Sequence, residues 1–392
     1  MIYLTKIQGF KNAFVLTTTG FKQTNLLIED GRIKLSDNIN DQELIELSDD
    51  LFVIPGLIDQ HIHGASGSDV IDGTVEDLHK ISCALASEGV TAYLATTTTH
   101  SIDITRKSLH AVKEYINKNY EDGAEIIGVH LEGPFISKEF SGAQLPNYIL
   151  KPTVDNYKKL VDGYEDLIKM VTLAPENDDN YDLIKYLKSK NIVISIGHTN
   201  SNYDEVKTAV EYGASCVTHT YNAMKPLKHR ELGTVGSALL FDQLYTEIIC
   251  DGVHVSIPAI NLLYKNKPND KIILITDALR MKNMPEGKYE EDEQTIYLKN
   301  DEARLSNGVL AGSVLKLNKA VKNVTEYTNC DLEKAIKFAS ENPAKNIGLF
   351  NEMGSIEENK LANLVVVDKK MNIYLTIRRG KVIYINSNLL KL

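Results

Sequence analysis

The chain has 392 residues, 43% hydrophobic and 24% charged, so it is long enough to bury a large core and its composition argues against disorder. Its formal net charge of −10 argues against general nucleic-acid binding, which needs a basic surface. No stretch has the roughly 20 apolar residues of a membrane span, and the first residues lack a signal-peptide pattern. We therefore expect a cytoplasmic protein without nucleic-acid or membrane partners, whose four scattered cysteines are reduced core thiols.

Both ends of the chain have the pattern of short β-strands. Asp30-Gly31 lies between two apolar runs near the N-terminus, and Arg379-Gly380 occupies the same setting near the C-terminus. A residue-glycine pair in this position favours a tight β-hairpin turn. Because each end alone is too small to hold a core, we predict one small β-domain that is built from both.

Between these ends, short apolar runs alternate with stretches of helical periodicity. The runs are nearly continuous in apolar residues, as expected of strands that are buried on both faces. Eight of them follow in chain order, at 51–63, 91–99, 125–132, 169–176, 192–198, 216–220, 246–252 and 271–278. Eight strand–helix units predict an α/β protein with a (β/α)8 TIM-type barrel, and a doubly wound sheet is the alternative.

The change of pattern along the chain predicts two domains. Residues 1–52 and 353–392 together form a small β-sandwich domain, and residues 53–352 form the barrel. An acidic run at 286–294 follows the eighth predicted strand. We expect a solvated loop or hairpin there, within the segment 280–300, and a lid over the active site is the alternative.

Histidines and acidic residues lie at the ends of the predicted barrel strands, where barrels of this type carry their active sites. The first two histidines of the set are two residues apart on a strand, so both side chains point to one face. Nitrogen and carboxylate ligands together suit zinc, iron or a related divalent metal. The set at this rim is His61, His63, Glu132, His198, His219 and Asp277.

Several short motifs follow one another in an order that is specific enough to indicate a family. They are PGLIDQHIHG (55–64), HLEGPFIS (130–137), GHTN (197–200), THTYNAM (218–224), PLKHRELG (226–233), CDGVHV (250–255), TDAL (276–279) and LAGS (310–313). With these motifs the whole chain resembles the N-acetylglucosamine-6-phosphate deacetylases of the amidohydrolase superfamily. The resemblance implies hydrolysis of N-acetylglucosamine 6-phosphate to glucosamine 6-phosphate and acetate, in amino-sugar catabolism.

The resemblance also assigns the metal ligands, and it implies that Asp277 is the catalytic acid and base. It implies that Glu132, His198 and His219 bind the principal metal. His61 and His63 match a pair that holds a second metal in some members, so we expect one or two divalent ions per subunit. Zinc is the first choice, and iron, manganese and cobalt accept the same ligands.

Hydrolysis of an unactivated amide needs a strong nucleophile and a stabilised tetrahedral oxyanion, and a metal site supplies both. A metal activates water and polarises the carbonyl, and a carboxylate must take the proton of the water and return it to the leaving amine. Asp277 is the candidate for that carboxylate. No Gly-x-Ser-x-Gly motif is present and no cysteine has the context of a catalytic triad, so we do not expect covalent catalysis.

The resemblance further implies a phosphate site and a sugar pocket. Arg230 is expected to reach across a homodimer interface into the neighbouring site. Many members carry a histidine where this chain has Gln144, and an amide can donate a hydrogen bond but cannot be cationic. Either the metal does more of the work here or Gln144 only contacts the sugar. The predicted substrate-binding residues are Gln144, Asn222, Ala223, Arg230, His254, Leu310, Ala311, Gly312 and Ser313.

Two other functions compete with this one. An N-acetylgalactosamine-6-phosphate deacetylase or another metal-dependent amidohydrolase would carry a similar metal site. No lysine lies at a strand end where a carbamylated bridging ligand is found in some amidohydrolases, which disfavours those enzymes. A barrel that has lost catalysis is disfavoured because Asp277 and every expected metal ligand are present.

Overall fold

The structure is a computed structural model and describes residues 6–35, 44–291 and 294–386. Its strands are β1 (Gly9–Thr17), β2 (Gly20–Glu29), β3 (Arg32–Leu35), β4 (Ile45–Glu46), β5 (Leu51–Pro55), β6 (Leu57–Ile62), β7 (Gly64–Ala65), β8 (Ser68–Asp69), β9 (Val90–Thr97), β10 (Glu125–Glu132), β11 (Ile168–Leu173), β12 (Val193–Ile196), β13 (Cys216–Val217), β14 (Tyr245–Ile249), β15 (Ile272–Ile275), β16 (Gly287–Glu291), β17 (Gln294–Lys299), β18 (Glu302–Leu305), β19 (Leu310–Gly312), β20 (Leu364–Asp368), β21 (Ile373–Arg378) and β22 (Lys381–Ile385). Its α-helices are α1 (Val75–Ala86), α2 (Ile102–Lys118), α3 (Val154–Val161), α4 (Asp182–Ser189), α5 (Tyr203–Tyr212), α6 (Gly233–Leu240), α7 (Ile257–Asn266), α8 (Leu317–Thr328), α9 (Leu332–Phe338) and α10 (Glu341–Asn346).

Eight strands form one parallel sheet, which is the (β/α)8 barrel that the sequence predicts. Their order is β6, β9, β10, β11, β12, β13, β14 and β15. The edge strands meet where the N–H of Asp277, just after β15, donates to the carbonyl of His61 on β6 at 2.9 Å. Each of the eight predicted apolar runs contributes a strand, and β6, β9 and β15 are buried along their whole length.

The first predicted run divides between two sheets. Strand β5 pairs with β1 and β20 in a sheet formed by the ends of the chain, and after Gly56 the chain enters the barrel as β6. A Cβ at Gly56 would lie 2.2 Å from Oγ1 of Thr91, so only glycine fits where the two sheets join. The predicted boundary between residues 52 and 53 falls inside β5, and the terminal sheet extends to Pro55.

Strands from both ends of the chain share this second sheet, in the order β22, β21, β20, β5, β1, β2, β3, with β4 beside β1. They enclose a separate apolar core and form the predicted β-sandwich. Both predicted hairpins are confirmed. Asp30, Gly31, Arg379 and Gly380 all have positive φ, at 49°, 75°, 49° and 75°. Positive φ at both central residues defines the turn that matches the twist of paired strands.

The acidic segment after the eighth barrel strand forms a small antiparallel sheet of β16 to β19. Residues 292–293 of the predicted acidic run lie outside the described residues. Ile296, Leu298 and Ala303 pack with Met281 in an apolar cluster beneath this sheet. The segment is therefore anchored to the barrel through its own core.

The cysteines depart in part from the prediction. All four are free, and Cys216, Cys250 and Cys330 are buried as expected. Cys83 is exposed on α1, so the prediction of a core thiol is wrong there. Among the described residues, no helix is both long and apolar enough to cross a membrane.

Candidate active site

A cavity of about 440 Å³ opens at the carboxyl ends of the barrel strands. The sheet of β16 to β19 covers one side of it, and Gln294 and Ile296 contribute to its lining. Nε2 of Gln294 donates to the carbonyl of Ala143 at 3.2 Å, which joins this sheet to the opposite wall. The predicted site residues that line the cavity are His63, Glu132, Gln144, His198, His219, Asn222, Ala223, His254, Asp277, Leu310, Ala311 and Gly312.

The carboxylate of Glu132, at the end of β10, lies at the centre of the histidine cluster. Its Oε1 is 3.0 Å from Nε2 of His219, 3.1 Å from Nε2 of His198 and 3.4 Å from Nε2 of His61. Its Oε2 is 3.2 Å from Nε2 of His63. One carboxylate thus contacts the histidines of three different strands, and every member of the group is buried.

Asp277 faces the same cluster from the end of β15. Its Oδ1 lies 3.2 Å from Nε2 of His63 and 3.4 Å from Nε2 of His61. Burial opposes the charged forms, but the contacts outweigh it. The hydrogen bonds to Asp277 and Glu132 raise the pKa of His63 to about 10, and the charge of His61 with the His63 hydrogen bond lowers the pKa of Asp277 to about 2.

The backbone turns sharply at three of these residues. His198, His219 and Asp277 have φ of 47°, 28° and 48°, in the left-handed region that residues with a Cβ rarely adopt. Each lies just beyond the end of a barrel strand. Such backbone costs about 1–3 kcal/mol per residue and persists where the surrounding structure enforces it. The side chains of all three residues line the cavity.

The cluster fits a divalent metal. Two overlapping groups bring their ligand atoms within 4.8 Å of one another: His61, His63, Glu132 and Asp277, and Glu132, His198 and His219. Nε2 of His61 is buried and has no hydrogen-bond partner in the described part of the chain, and Nε2 atoms of His198 and His219 face each other at 3.0 Å. Imidazole nitrogens and carboxylate oxygens arranged in this way are the donor set of zinc and related metals.

Gln144 contacts the cluster itself. Its Nε2 donates to Oε2 of Glu132 at 2.8 Å. Its Oε1 accepts from the N–H of Thr99 at 2.8 Å and from the Thr99 hydroxyl. Both ends of the amide are therefore engaged within the protein, and the amide holds Glu132 in place.

At the other end of the cavity, His254 is held by Asp251. Nδ1 of His254 lies 2.6 Å from Oδ2 of Asp251, whose Oδ1 accepts from the N–H groups of Val253 and His254, each at 2.8 Å. Nε2 of His254 is buried and finds no hydrogen-bond partner within residues 6–35, 44–291 and 294–386. Asn222, another residue of the lining, donates its main-chain N–H to the carbonyl of His219 at 3.0 Å.

Three predicted site residues lie outside the lining. His61 belongs to the histidine cluster but is fully buried. Ser313 is buried, and its N–H donates to the Asp277 carbonyl at 3.0 Å, so it holds the backbone at Asp277. Arg230 is exposed on the loop before α6.

Sequence reasoning missed two acidic residues that contact the site. Asp251 lies in the motif CDGVHV, and its spacing of three from His254 places both residues on one turn. Glu247 lies on β14 and contacts Nδ1 of His61 at 3.0 Å. A charged residue in the middle of an otherwise apolar strand was the available signal for it.

Comparison with known proteins agrees with this geometry. Residues 52–383 match the Amidohydrolase family. An N-acetylglucosamine-6-phosphate deacetylase of Bacillus subtilis is 40% identical over 87% of each chain, and an N-acetylgalactosamine-6-phosphate deacetylase of Escherichia coli is 32% identical over 81% of this chain and 84% of that protein. The crystal structure of the N-acetylglucosamine-6-phosphate deacetylase of Thermotoga maritima superimposes with a TM-score of 0.87, at 32% identity, over 96% of this chain and all of that one. The chain belongs to the amidohydrolase family and, within it, to the N-acetylglucosamine-6-phosphate deacetylases.

Proposed function

We propose that the chain hydrolyses the N-acetyl group of N-acetylglucosamine 6-phosphate, giving glucosamine 6-phosphate and acetate. The observation that carries this proposal is the Glu132–histidine cluster with Asp277 at its edge, at the base of a cavity large enough for a sugar phosphate. We assign Glu132, His198 and His219 to a principal divalent ion and His61 and His63 to a second. Zinc is the first choice, with iron, manganese or cobalt as alternatives.

A divalent metal held there supplies an activated water and polarises the acetyl carbonyl. The residues of the chain do the rest. Asp277 accepts a proton from the attacking water and later delivers it to the nitrogen of the leaving amine. The low pKa of Asp277 keeps its carboxylate ionised at neutral pH, which is the form that can accept a proton. Leu310, Ala311 and Gly312 of β19 form one wall of the proposed sugar pocket.

The phosphate group is proposed to bind near His254, with help from a second subunit. Nε2 of His254 is available to a phosphate oxygen. Among the described residues that line the cavity, none is lysine or arginine, so one chain alone offers little positive charge to a phosphate. We assign that charge to Arg230 of a neighbouring subunit, and the main chain at Asn222 and Ala223 to the same subsite.

A homodimer is consistent with the surface around Arg230. Large apolar side chains that are 37–56% exposed occur repeatedly in this stretch of chain: Leu227, Leu240, Val253, Ile257 and Leu262. We assign these side chains to the interface between the two subunits. We also retain a cytoplasmic location as part of the proposal, in line with four free cysteines.

The test is acetate release from N-acetylglucosamine 6-phosphate, measured beside the unphosphorylated sugar and the galacto epimer. Faster turnover of the first substrate, dependent on added zinc, supports the proposal. Preference for the epimer would favour the N-acetylgalactosamine 6-phosphate alternative, which the Escherichia coli relative represents. No turnover of any of the three by the metal-loaded protein would overturn the deacetylase assignment.

A further inference from the structure

Glu247 is an acidic residue in a buried position. Packing alone does not explain why a carboxylate lies there. It lies on β14 inside the barrel, and its side chain is fully buried. A buried carboxylate is costly unless it is paired and hydrogen-bonded, whereas an apolar side chain would fill the same space more cheaply. Among the described residues, His61 is the basic side chain within ion-pair distance of it, with Nδ1 of His61 at 3.0 Å from Oε2.

The remaining contacts fix the orientation of this carboxylate. Its Oε1 accepts from Nε2 of Gln60 at 2.7 Å, and Oε1 of Gln60 accepts from Nδ2 of Asn346 at 3.1 Å. Its Oε2 also receives the N–H of His219 at 3.3 Å. Because the amide of Gln60 is itself held in one orientation, Oε1 of Glu247 accepts from it. Oε2 accepts from the main chain of His219.

The contact with Glu247 decides which nitrogen of His61 carries the hydrogen. An ionised carboxylate only accepts hydrogen bonds, so Nδ1 of His61 must carry the hydrogen. In the neutral ring that binds a metal, Nε2 therefore carries the lone pair and points towards Glu132 and Asp277, each 3.4 Å away. A carboxylate behind a histidine in this way orients the ring and increases its basicity as a ligand.

The other histidines of the cluster are held differently. Nδ1 of His198 donates to the Phe140 carbonyl at 2.9 Å. Nδ1 atoms of His63 and His219 are buried and have no hydrogen-bond partner among the described residues. Of the two histidines that share a ligand group with Asp277, His61 is therefore the one whose Nδ1 has an acceptor in the described part of the chain.

We propose that Glu247 is a positioning residue for a second divalent metal, the one held by His61, His63, Glu132 and Asp277. The inference rests on the proposed function, because it assumes that both ligand groups bind metal. Replacing Glu247 with glutamine keeps the size of the side chain but leaves one acceptor oxygen for three donors, Nδ1 of His61, Nε2 of Gln60 and the N–H of His219. His61 then loses its fixed orientation, and the second ion binds more weakly.

The experiment is a titration of the chelator-stripped protein with Zn²⁺, in competition with a chromophoric chelator. The wild type is expected to bind two ions. In Glu247→Gln, one of them should bind about 10- to 100-fold more weakly, the range found for groups that orient metal ligands. The matched control is Asp178→Asn, another buried carboxylate, which accepts from the N–H groups of Leu183 and Ile184 and should leave both affinities unchanged.

The outcomes separate the inference from the proposed function. Two ions bound with wild-type affinity by Glu247→Gln, or both weakened equally, would overturn the role of Glu247 and leave the deacetylase intact. A wild type that binds a single ion and still releases acetate would do the same. A folded wild type that binds no zinc and releases no acetate would instead overturn the proposed function.

A second measurement needs no variant of Glu247 to fold. In the zinc-loaded wild type with ¹⁵N-labelled histidine, the NMR signal of the Nδ1 hydrogen of His61, identified by its loss in His61→Asn, should lie well downfield of a solvent-exposed imidazole N–H, because this hydrogen is bonded to the Glu247 carboxylate. A signal at the solvent-exposed position, or hydrogen on Nε2, would overturn the proposal. A merely space-filling Glu247 would not displace this signal.

Discussion

The N–H of Asp277 donates to the carbonyl of His61 at 2.9 Å, and this bond joins the last strand of the barrel to the first. Through it, the carboxylate of Asp277 comes within 3.4 Å of Nε2 of His61 and 3.2 Å of Nε2 of His63. The proposed acid and the proposed ligands thus belong to sequence-distant strands that meet only when the barrel closes. Catalytic competence is therefore coupled to the complete fold.

Replacing Asp277 with asparagine should abolish most of the hydrolysis. The amide keeps the shape of the side chain but cannot accept a proton from water, so kcat should fall by about 100- to 10,000-fold. Acetate release is measured at equal metal content, and calorimetry with the intact substrate checks that the sugar phosphate still binds. A variant with wild-type kcat would show that another group moves the proton.

The proposed role of Arg230 predicts complementation between two impaired variants, measured at substrate concentrations below the KM of the wild type. Arg230→Ala should raise KM for the 6-phosphate substrate by about 10- to 100-fold, as expected for loss of a charged hydrogen bond, and Asp277→Asn lacks the acid. In a mixed dimer, one site receives its acid from the first subunit and its arginine from the second. After subunit exchange, the mixture should regain about a quarter of the wild-type activity, because half of the dimers hold one complete site.

The control for that experiment is Lys228→Ala, an exposed cation in the same loop that should leave KM unchanged. If mixing the two variants restores nothing although the subunits exchange, Arg230 acts within its own chain or not at all. Sedimentation of the wild type gives the oligomeric state independently.

Much of the fold was predictable because buried barrel strands have a distinctive composition. Each of the eight apolar runs supplied a strand, and the two hairpin turns were identified by a glycine that tolerates positive φ. The run at 51–63 was misread as one strand because both halves are apolar. The break at Gly56 depends on its approach to Thr91, 35 residues further along the chain, and such contacts are invisible to periodicity.

Part of the candidate site was also predictable from the sequence. His61 and His63 were recognised from their spacing, since alternate residues of a strand share a face. The roles of Gln144 and Glu247 were not predicted, because each is set by a partner distant in sequence: Glu132 for the first and His61 for the second. Motifs identify which residues are present at a strand end, whereas the supporting contacts arise only from the packed barrel.

Gln144 should contribute both to stability and to metal binding. Replacing it with alanine removes the donor to Oε2 of Glu132 and leaves the N–H of Thr99 without its acceptor, at a cost of about 1–3 kcal/mol in the free energy of unfolding. Urea denaturation of the metal-free protein measures that cost, and zinc titration should show weaker binding of both ions, since both groups contain Glu132. The control is Gln294→Ala, another glutamine of the lining, whose bond is to the main chain of Ala143. Equal effects of the two substitutions would contradict a specific role for Gln144.

Asp59 predicts a pH-dependent stability of the metal-free protein. Burial raises the pKa of its carboxyl from 3.8 to about 6, despite the charge of Lys282 and the hydrogen bond from Thr276. The folded state thus holds this proton more tightly than the unfolded state does, and the resulting stabilisation is full below pH 3.8 and is lost as the pH rises through about 6. In Asp59→Asn the group no longer titrates. Between pH 7 and pH 4, the wild type should therefore gain about 2 kcal/mol of unfolding free energy relative to the variant. Urea denaturation of both proteins at each pH measures this difference directly. A difference that stays constant, or that favours the variant as the pH falls, would mean that Asp59 is ionised in the folded protein at pH 4.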